Sequence, residues 1–225
     1  TKHCSSSIEL VKNCEIIFLC SRIDKTLSTL EKLNEFLKKE QKVVEVCSIK
    51  KGLFEKEYNF ELVHSHPMAG VSGFGFDRGF KELFLDNKWL LDKDLNYPKL
   101  EEIISDLGAK IQKINMKEHD KLCAKISHLC AIVSLLVFQN ATDEAKNIAS
   151  SGFRDTTRLA MTEASLLNSM FFDNFENLEN EFLNLQKLFE NLKKMSDDER
   201  IELFKELSSK RKEMYDENGK NIFKI

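Results

Sequence analysis

The chain has 225 residues, 42% of them hydrophobic, so it can bury a sizeable core in one large or two modest domains. Its 34 Lys and Arg face 37 Asp and Glu, a formal charge of -3, and this balance does not favour nucleic acid or an anionic membrane. No apolar run approaches the roughly 20 residues of a membrane helix. The first ten residues also lack the apolar core of a signal peptide. The composition therefore predicts a cytoplasmic protein.

The six cysteines predict reduced thiols rather than a disulfide framework. The sequence contains no CxxC pair, and most of the cysteines stand inside apolar runs such as "IIFLC" and "VVEVC". Buried thiols in a reducing compartment fit this pattern better than bridges. The cysteines occupy positions 4, 14, 20, 47, 123 and 130.

The first half of the chain alternates strand and helix patterns. Short β-branched runs occur at 14–20, 42–48 and 60–66. An apolar helical pattern between the first two runs predicts parallel strands with crossover helices. A helix is predicted at 97–108, with Pro98 at its start and Gly108 just past its end, before a strand at 109–115. An α/β domain is predicted over residues 1–115. The helical pattern between the first two strands consists of Leu27, Leu30, Leu33 and Leu37.

The second half, residues 116–225, has a helical pattern without strand signals. Apolar residues at alternating spacings of three and four form a heptad-like seam between Phe175 and Leu192, and Ser196 with Glu199 matches a capping box. A stripe this apolar is expected to be shielded from water, and the pattern favours a homodimer through this all-α domain. The seam consists of Phe175, Leu178, Phe182, Leu185, Phe189 and Leu192.

The segment "HSHPMAG" (64–70) ends the third predicted strand. His64 and His66 lie two residues apart and share a face of that strand. Ligands of open α/β sheets bind beyond the carboxyl ends of strands, and the glycines at 70, 73 and 75 allow a close backbone approach. His66 is thus a candidate functional residue.

Three motifs together resemble the prephenate and arogenate dehydrogenase family of tyrosine biosynthesis. They are "HPMAG" (66–70), "EHD" ahead of "SHL" (118–129) and "GFRDTTRLA" (152–160), in the order and spacing of that family. "VCSIK" at 46–50 also matches the strand end that precedes the histidine motif. The resemblance implies a Rossmann-type nucleotide-binding domain, here without its N-terminal strand-helix units, followed by an all-α dimerisation domain.

The resemblance also implies a reaction. A nicotinamide cofactor takes hydride from a cyclohexadienol, whose hydroxyl becomes a carbonyl as carbon dioxide leaves and the ring aromatises. By the same resemblance His66 and Ser48 are catalytic, with His66 accepting the hydroxyl proton. The residues implied in binding substrate are Arg158, which clamps the ring carboxylate, with His128 and Gly152. Those implied in binding the cofactor are Cys20, Ser21 and Ser48.

Several points stay open. Ala131 stands where the family usually has a second histidine, so prephenate and arogenate both remain candidate substrates. No glycine precedes Gly52, so the Gly-rich fingerprint is missing, and we expect residues missing from the N-terminus rather than a domain that has lost its cofactor. NAD is favoured over NADP without a residue that decides it. The alternative of another class is a catalytically silent helical dimer.

Two local features are given structural interpretations. Arg154 and Asp155 are expected to form an ion pair that shapes their loop. His119 and Cys123, at i and i+4, have no adjacent cluster of further ligands, so the sequence predicts no metal site.

Overall fold

The computed structural model describes residues 14–70 and 76–215. Its strands are β1 (Ile16–Leu19), β2 (Lys42–Glu45), β3 (Glu61–Pro67), β4 (Lys88–Asp92) and β5 (Lys110–Ile114). Its α-helices are α1 (Ile23–Leu33), α2 (Pro98–Asp106), α3 (His119–Cys123), α4 (Leu129–Asn140), α5 (Asp143–Asn147), α6 (Ser151–Thr156), α7 (Ala164–Phe172), α8 (Phe175–Lys194) and α9 (Asp197–Met214). Short 3-10 turns lie at Phe76–Arg78, Met116–Glu118 and Arg158–Met161.

The five strands form one mixed sheet in the order β1-β2-β3-β4-β5. β1, β2 and β3 are parallel, as predicted, so their carboxyl ends meet at one edge. β4 runs antiparallel to β3, and β5 is parallel to β4. The sequence did not predict β4, because a five-residue run with only two buried side chains, Trp89 and Leu91, has too weak a period to stand out.

One of the predicted crossover helices is absent. α1 connects β1 to β2, but the described residues between β2 and β3 form turns instead of a helix. Gly52 in this connection has a φ of +83°, which favours glycine, and the Lys50 side chain is fully buried. The chain here turns inward around a buried lysine and does not follow a helical path.

Alternation along β2 separates two cores. Val43 packs with Leu30 and Leu33 of α1 on one face, and its neighbour Val44 packs with Leu100 of α2 on the other. Successive side chains of a strand point to opposite faces, so Val43 and Val44 each pack into the core on a different face of the sheet. Helices cover the two faces as expected for a nucleotide-binding domain.

The helix predicted at 97–108 and the strand after it are confirmed. Pro98 begins α2, and Gly108 follows its end with a φ of +82°. A Cβ at Gly108 would lie 2.9 Å from Leu85 Cδ1. The position therefore requires glycine for its backbone angle and for the close approach of Leu85.

A continuous helical run from Met116 to Asn140 opens the helical part of the chain. By length and composition it is apolar enough to cross a membrane, so the expectation that no segment meets this test was wrong. Its middle, Ala124–His128, is π-helical. Two residues nine positions apart, such as His119 and His128, face opposite sides of a regular α-helix. Each residue of the wider π-helix rotates the chain by a smaller angle, so five such residues change the direction of His128 by about a quarter of a turn. His128 is thereby turned towards the side of His119.

The chain divides into two compact units after Leu178. The second unit contains most of α8 and all of α9, and the predicted capping box of Ser196 and Glu199 opens α9. Along the seam Leu185 is 39% and Phe189 63% exposed. The described residues of this unit therefore leave much of the apolar seam uncovered.

A buried ion pair fixes the turn that follows β2. Lys50 Nζ donates to both Glu45 carboxylate oxygens, at 2.7 and 2.8 Å, and both residues are almost fully buried. The same ammonium donates to the carbonyls of Cys47 (2.7 Å) and Ser65 (2.6 Å). Burial raises the pKa of Glu45, but the Lys50 charge and the His64 hydrogen bond outweigh it and leave that pKa below its usual value. Lys50 thus ties the end of β2 to β3.

Removing this ammonium should destabilise the protein strongly. In Lys50→Met the Glu45 carboxylate stays buried without its main partner, and we expect the free energy of unfolding to fall by about 3–5 kcal/mol. Urea unfolding measures this change. The matched control is Lys56→Met, which breaks an exposed, solvent-screened pair with Glu31 and should leave the free energy of unfolding almost unchanged. Equal losses in the two variants would contradict this role of Lys50.

Candidate active site

Asp120 joins the helical run to the turn after β2. Its carboxylate accepts hydrogen bonds from the backbone N–H of Lys50 (2.9 Å) and of Lys51 (3.0 Å). Oδ1 also lies 2.7 Å from His119 Nδ1. Burial raises the pKa of Asp120, but these hydrogen bonds lower it by more. Its pKa is therefore below the usual value, and the group is ionised at neutral pH. The anion holds a histidine of the helix against the end of the sheet.

His119 passes this orientation on to His66. His119 Nε2 lies 2.8 Å from His66 Nδ1, where β3 ends. An ionised carboxylate only accepts, so His119 Nδ1 carries the proton and its Nε2 is the acceptor. His66 Nδ1 must then donate, which leaves the lone pair of a neutral His66 on Nε2. The chain Asp120–His119–His66 therefore selects one tautomer of His66.

Both histidines are held neutral. Burial lowers the pKa of His66 well below its usual value, and the nearby His119, Lys50 and His128 lower it further. Burial also lowers the pKa of His119, although Asp120 opposes the shift. His66 keeps part of its surface exposed, whereas His119 has none. A neutral, partly accessible imidazole with a defined lone pair is suited to accept a proton at neutral pH.

Cys123 contacts both rings. Its Sγ lies 3.4 Å from His119 Nε2 and 3.9 Å from His66 Nδ1. Burial raises the pKa of this thiol to about 12, and Asp120 adds to the shift. Cys123 is therefore a protonated thiol in the absence of a bound cation and does not act as a nucleophile.

His128 lies in the same neighbourhood. Asn174 Nδ2 donates to His128 Nδ1 at 3.0 Å and to the Asp120 carbonyl at 2.7 Å. Since Nδ1 accepts, a neutral His128 carries its proton on Nε2. Nε2 is fully buried and has no hydrogen-bond partner among the described residues, although the Ser48 carbonyl is near enough to affect its pKa. An unpartnered buried donor costs about 1–3 kcal/mol, which a ligand with an acceptor would recover.

The residues predicted to meet the cofactor lie at the carboxyl edge of the sheet. Cys20 and Ser21 follow β1 and are exposed, and the Ser21 hydroxyl bonds to Thr26 Oγ1 at 2.8 Å. Ser48 follows β2 and is half-buried. These positions, with His66 at the end of β3, share the edge where parallel sheets bind ligands.

Within the described residues, 14–70 and 76–215, Arg158 and Gly152 form no hydrogen bond or ion pair with the site histidines. Arg158 is exposed and begins a 3-10 turn, which Ala160 N anchors to Ser134 Oγ at 3.0 Å. Gly152 lies in α6, with open space where a Cβ would point. The predicted ion pair of Arg154 with Asp155 is confirmed at 2.9 Å. Of the predicted glycine loop, Gly73 and Gly75 lie outside the described residues.

The fold adds partners that sequence reasoning missed. Asn174 had no signal that distinguished it from other polar residues, Cys123 was noted only for its spacing from His119, and Lys50 only as the last residue of "VCSIK". The adjacent "EHD" residues were a usable signal, but their relation to His66 depends on a contact 53 residues apart in the sequence. The five described cysteines are free, with Cys47 and Cys123 buried and Cys20 and Cys130 exposed.

The fold and this site define a two-part dehydrogenase, with a nucleotide-binding sheet followed by helices that complete a histidine cluster. Comparison with known families agrees. The family model "Prephenate dehydrogenase, nucleotide-binding domain" matches residues 1–113, and "Prephenate dehydrogenase, dimerization domain" matches residues 115–209. The chain belongs to the prephenate dehydrogenase family.

Individual relatives agree with this assignment. The chain is 29% identical to prephenate dehydrogenase of Lactococcus lactis over 91% of its own length, but it spans only 63% of that relative. It resembles the crystal structure of Synechocystis arogenate dehydrogenase with a TM-score of 0.76 and 28% identity, covering 92% of this chain and 81% of that one. Prephenate dehydrogenase from A. aeolicus, solved with hydroxyphenyl propionate and NAD+, shares the fold with a TM-score of 0.78 at 23% identity, covering 93% and 80%.

The buried histidines should make stability depend on pH. Burial lowers the pKa of His128 to about 4, whereas an unfolded chain protonates this group near its usual 6.5. Below pH 6.5 the unfolded state binds more protons, so the free energy of unfolding should fall by about 2 kcal/mol between pH 6.5 and 5 from His128 alone. Urea unfolding across this range, compared with His128→Asn, isolates that share. The same pH slope in both proteins would contradict the assignment.

Proposed function

We propose that this protein catalyses the oxidative decarboxylation of prephenate to 4-hydroxyphenylpyruvate, with a nicotinamide cofactor as hydride acceptor. The observation that carries the proposal is the Asp120–His119–His66 chain, with its 2.7 and 2.8 Å hydrogen bonds. It presents His66 Nε2 as a neutral acceptor at the end of a nucleotide-binding sheet. This is the group that an alcohol oxidation needs.

The steps assigned to the protein are proton transfer and orientation. His66 Nε2 takes the hydroxyl proton as the C–O bond becomes a carbonyl and hydride leaves the same ring carbon. The bond to the ring carboxylate then breaks and carbon dioxide departs. The electron pair of that bond makes the ring aromatic and turns the carbonyl oxygen into a phenolate, which takes back a proton. A bound nicotinamide supplies the hydride acceptor. His119 and Asp120 hold the tautomer of His66 and contact no reacting atom.

Substrate binding is assigned to residues of the helical part. The His128 Nε2–H, buried without a partner, fits a donor to an oxygen of the substrate. Arg158 is exposed, and its guanidinium is assigned to the ring carboxylate, with Gly152 admitting the substrate closely. Ser48, near His128, is assigned to orient His66 and to contact the nicotinamide.

The residues present fit the nicotinamide end of the cofactor. Cys20, Ser21 and Ser48 offer small polar side chains and open backbone at the carboxyl ends of β1 and β2. NAD is favoured over NADP because the A. aeolicus structure of the same fold holds NAD+. A cytoplasmic location is supported by the composition. The apolar helical run fits a protein core, because it carries the buried His119 and His128 and is held to the sheet through Asp120.

Arogenate is the alternative substrate. Ala131, where a second family histidine is usual, is buried and offers no side-chain donor, so it does not select a keto acid over an amino acid. The relatives include both activities by name. Assaying the intact protein with prephenate and with arogenate, each with NAD and NADP, tests the proposal. Absence of turnover in all four combinations would overturn it.

Replacing the proposed base tests the mechanism. His66→Asn keeps a polar side chain of similar reach but has no titratable lone pair, so turnover should fall by roughly 10²- to 10⁴-fold with little change in substrate affinity. Steady-state kinetics with the preferred substrate measures kcat and KM separately. Cys130→Ser, at an exposed position of the helical run, is the control and should keep the parent turnover. Near-normal turnover in His66→Asn contradicts the role of this residue.

We also propose a homodimer built from the helical domain, residues 116–225, with residues 1–115 as the nucleotide-binding domain. The name of the second family model and the meeting of the two matched ranges at 113–115 support this division. The exposed seam of α8, with Phe189 63% and Leu185 39% exposed, supplies an apolar surface for a second copy. Phe182 and Leu185 are assigned to the interface or directly beneath it.

Charge on the seam should break the dimer. Leu185 is 39% exposed in the single chain, so Leu185→Glu is compatible with the folded subunit but would bury an unpaired carboxylate in the dimer. Sedimentation velocity should give a dimer for the parent and a monomer for the variant. Lys187→Glu, on the polar side of the same helix, is the control and should stay dimeric. A monomeric parent at micromolar concentration contradicts the proposal.

A further inference from the structure

His66, His119 and Cys123 bring three potential metal ligands to one point. The His66 Nδ1, His119 Nε2 and Cys123 Sγ atoms are separated by 2.8, 3.4 and 3.9 Å. The set combines a residue of β3 with two residues one turn apart on α3. Sequence spacing excluded a metal at His119 and Cys123 for lack of a further ligand, and the fold supplies one.

The triangle has the dimensions of a zinc site. A point equidistant from all three atoms lies about 2.0 Å from each, close to the usual zinc-nitrogen distance and slightly short of the roughly 2.3 Å to sulfur. A displacement of the ion out of the ligand plane and towards the two nitrogens reaches both distances. Two imidazoles and a thiolate also form a donor set that zinc prefers, and three protein ligands leave a fourth position for water.

The surroundings supply the outer partner that zinc sites commonly have. Asp120 accepts from His119 Nδ1 at 2.7 Å, so the opposite nitrogen, Nε2, is the one that presents its lone pair to the triangle. The Asp120 carboxylate offsets the charge of a bound cation, and the nearby Lys50 ammonium is already paired with Glu45. His119 and Cys123 are fully buried, which limits competition from water.

We propose that His66, His119 and Cys123 form a zinc-binding site that inhibits the enzyme when it is occupied. Zinc displaces the Cys123 thiol proton to solvent and occupies His66 Nδ1. The single proton of the neutral His66 ring must then reside on Nε2. The nitrogen assigned as base becomes a donor and no longer accepts a proton. The binding half of the proposal stands on geometry, and the inhibitory half rests on the proposed function.

Binding is tested on the untagged, intact protein with Zn²⁺ and Co²⁺ alone. Zn²⁺ affinity is measured by competition with a chromogenic chelator, and sulfur ligation by the near-ultraviolet sulfur-to-cobalt charge-transfer band. Cys123→Ser should lose that band and weaken Zn²⁺ binding by more than the roughly 100-fold that loss of an outer partner costs. Cys130→Ser, an exposed cysteine on the same helical run, is the matched control and should retain both.

Specific outcomes overturn the site. They are a parent protein without the cobalt band, a Cys123→Ser variant that binds Zn²⁺ as tightly as the parent, or a band lost in Cys130→Ser. If Cys123→Ser fails to fold by circular dichroism, His66→Asn removes a ligand from the other element and should weaken Zn²⁺ binding instead. Unchanged Zn²⁺ affinity in a folded His66→Asn variant would equally refute the three-ligand site.

Inhibition is a separate measurement. Saturating Zn²⁺ should lower the parent turnover by roughly 10²- to 10⁴-fold, the share that a positioned base contributes, and a chelator should restore it. Cys130→Ser should be inhibited like the parent. Zn²⁺ binding without inhibition of an active enzyme overturns the tautomer argument. Zn²⁺ binding to a protein that turns over neither substrate overturns the proposed function and the inhibition while leaving the metal site intact.

Discussion

The site depends on the buried ion pair between the Lys50 ammonium and the Glu45 carboxylate. A lysine with 1% of its surface exposed is stable only when each of its donors is satisfied, and here Glu45, Cys47 and Ser65 satisfy them. These partners fix the path of the chain between β2 and β3. That path points the backbone N–H groups of Lys50 and Lys51 at Asp120. The helical run is thereby anchored to the sheet through Asp120, and the turn that Asp120 contacts is held in place by the buried Lys50 ammonium.

Asp120 connects structure to chemistry. One carboxylate accepts from the turn and orients His119, so the position of the helix and the tautomer of His66 have a common cause. Burial lowers the pKa of both His66 and His119, which keeps the acceptor unprotonated. The His119 Nε2 lone pair that accepts from His66 is also one that a zinc ion would bind, and zinc at His66 Nδ1 would place the ring proton on Nε2, the nitrogen assigned as base. Proton transfer and zinc binding therefore compete for one arrangement of atoms.

The π-helical segment gives the cluster its third histidine. A regular helix would turn His128 away from His119, and the wider turn at Ala124–His128 brings it back to where Asn174 contacts both His128 and the Asp120 carbonyl. Arg158, by contrast, is exposed on a turn held to α4 through Ser134. The donors assigned to the substrate thus differ in character. His128 is fixed by burial, whereas the Arg158 side chain keeps the freedom to meet a carboxylate.

The sequence by itself determined the elements that local pattern encodes. The three parallel strands, α1, α2 with Pro98 and Gly108, and the capped α9 all follow from periodicity and end signals, and the family follows from three motifs in series. Tertiary structure alone decided the reversed β4, the turn that replaces a crossover helix, and the contacts of His66 with His119 and Cys123. The physical reason is that periodicity reports which face of an element is apolar. The partner of a buried polar atom is set by distances between elements far apart in the chain, which no local pattern contains.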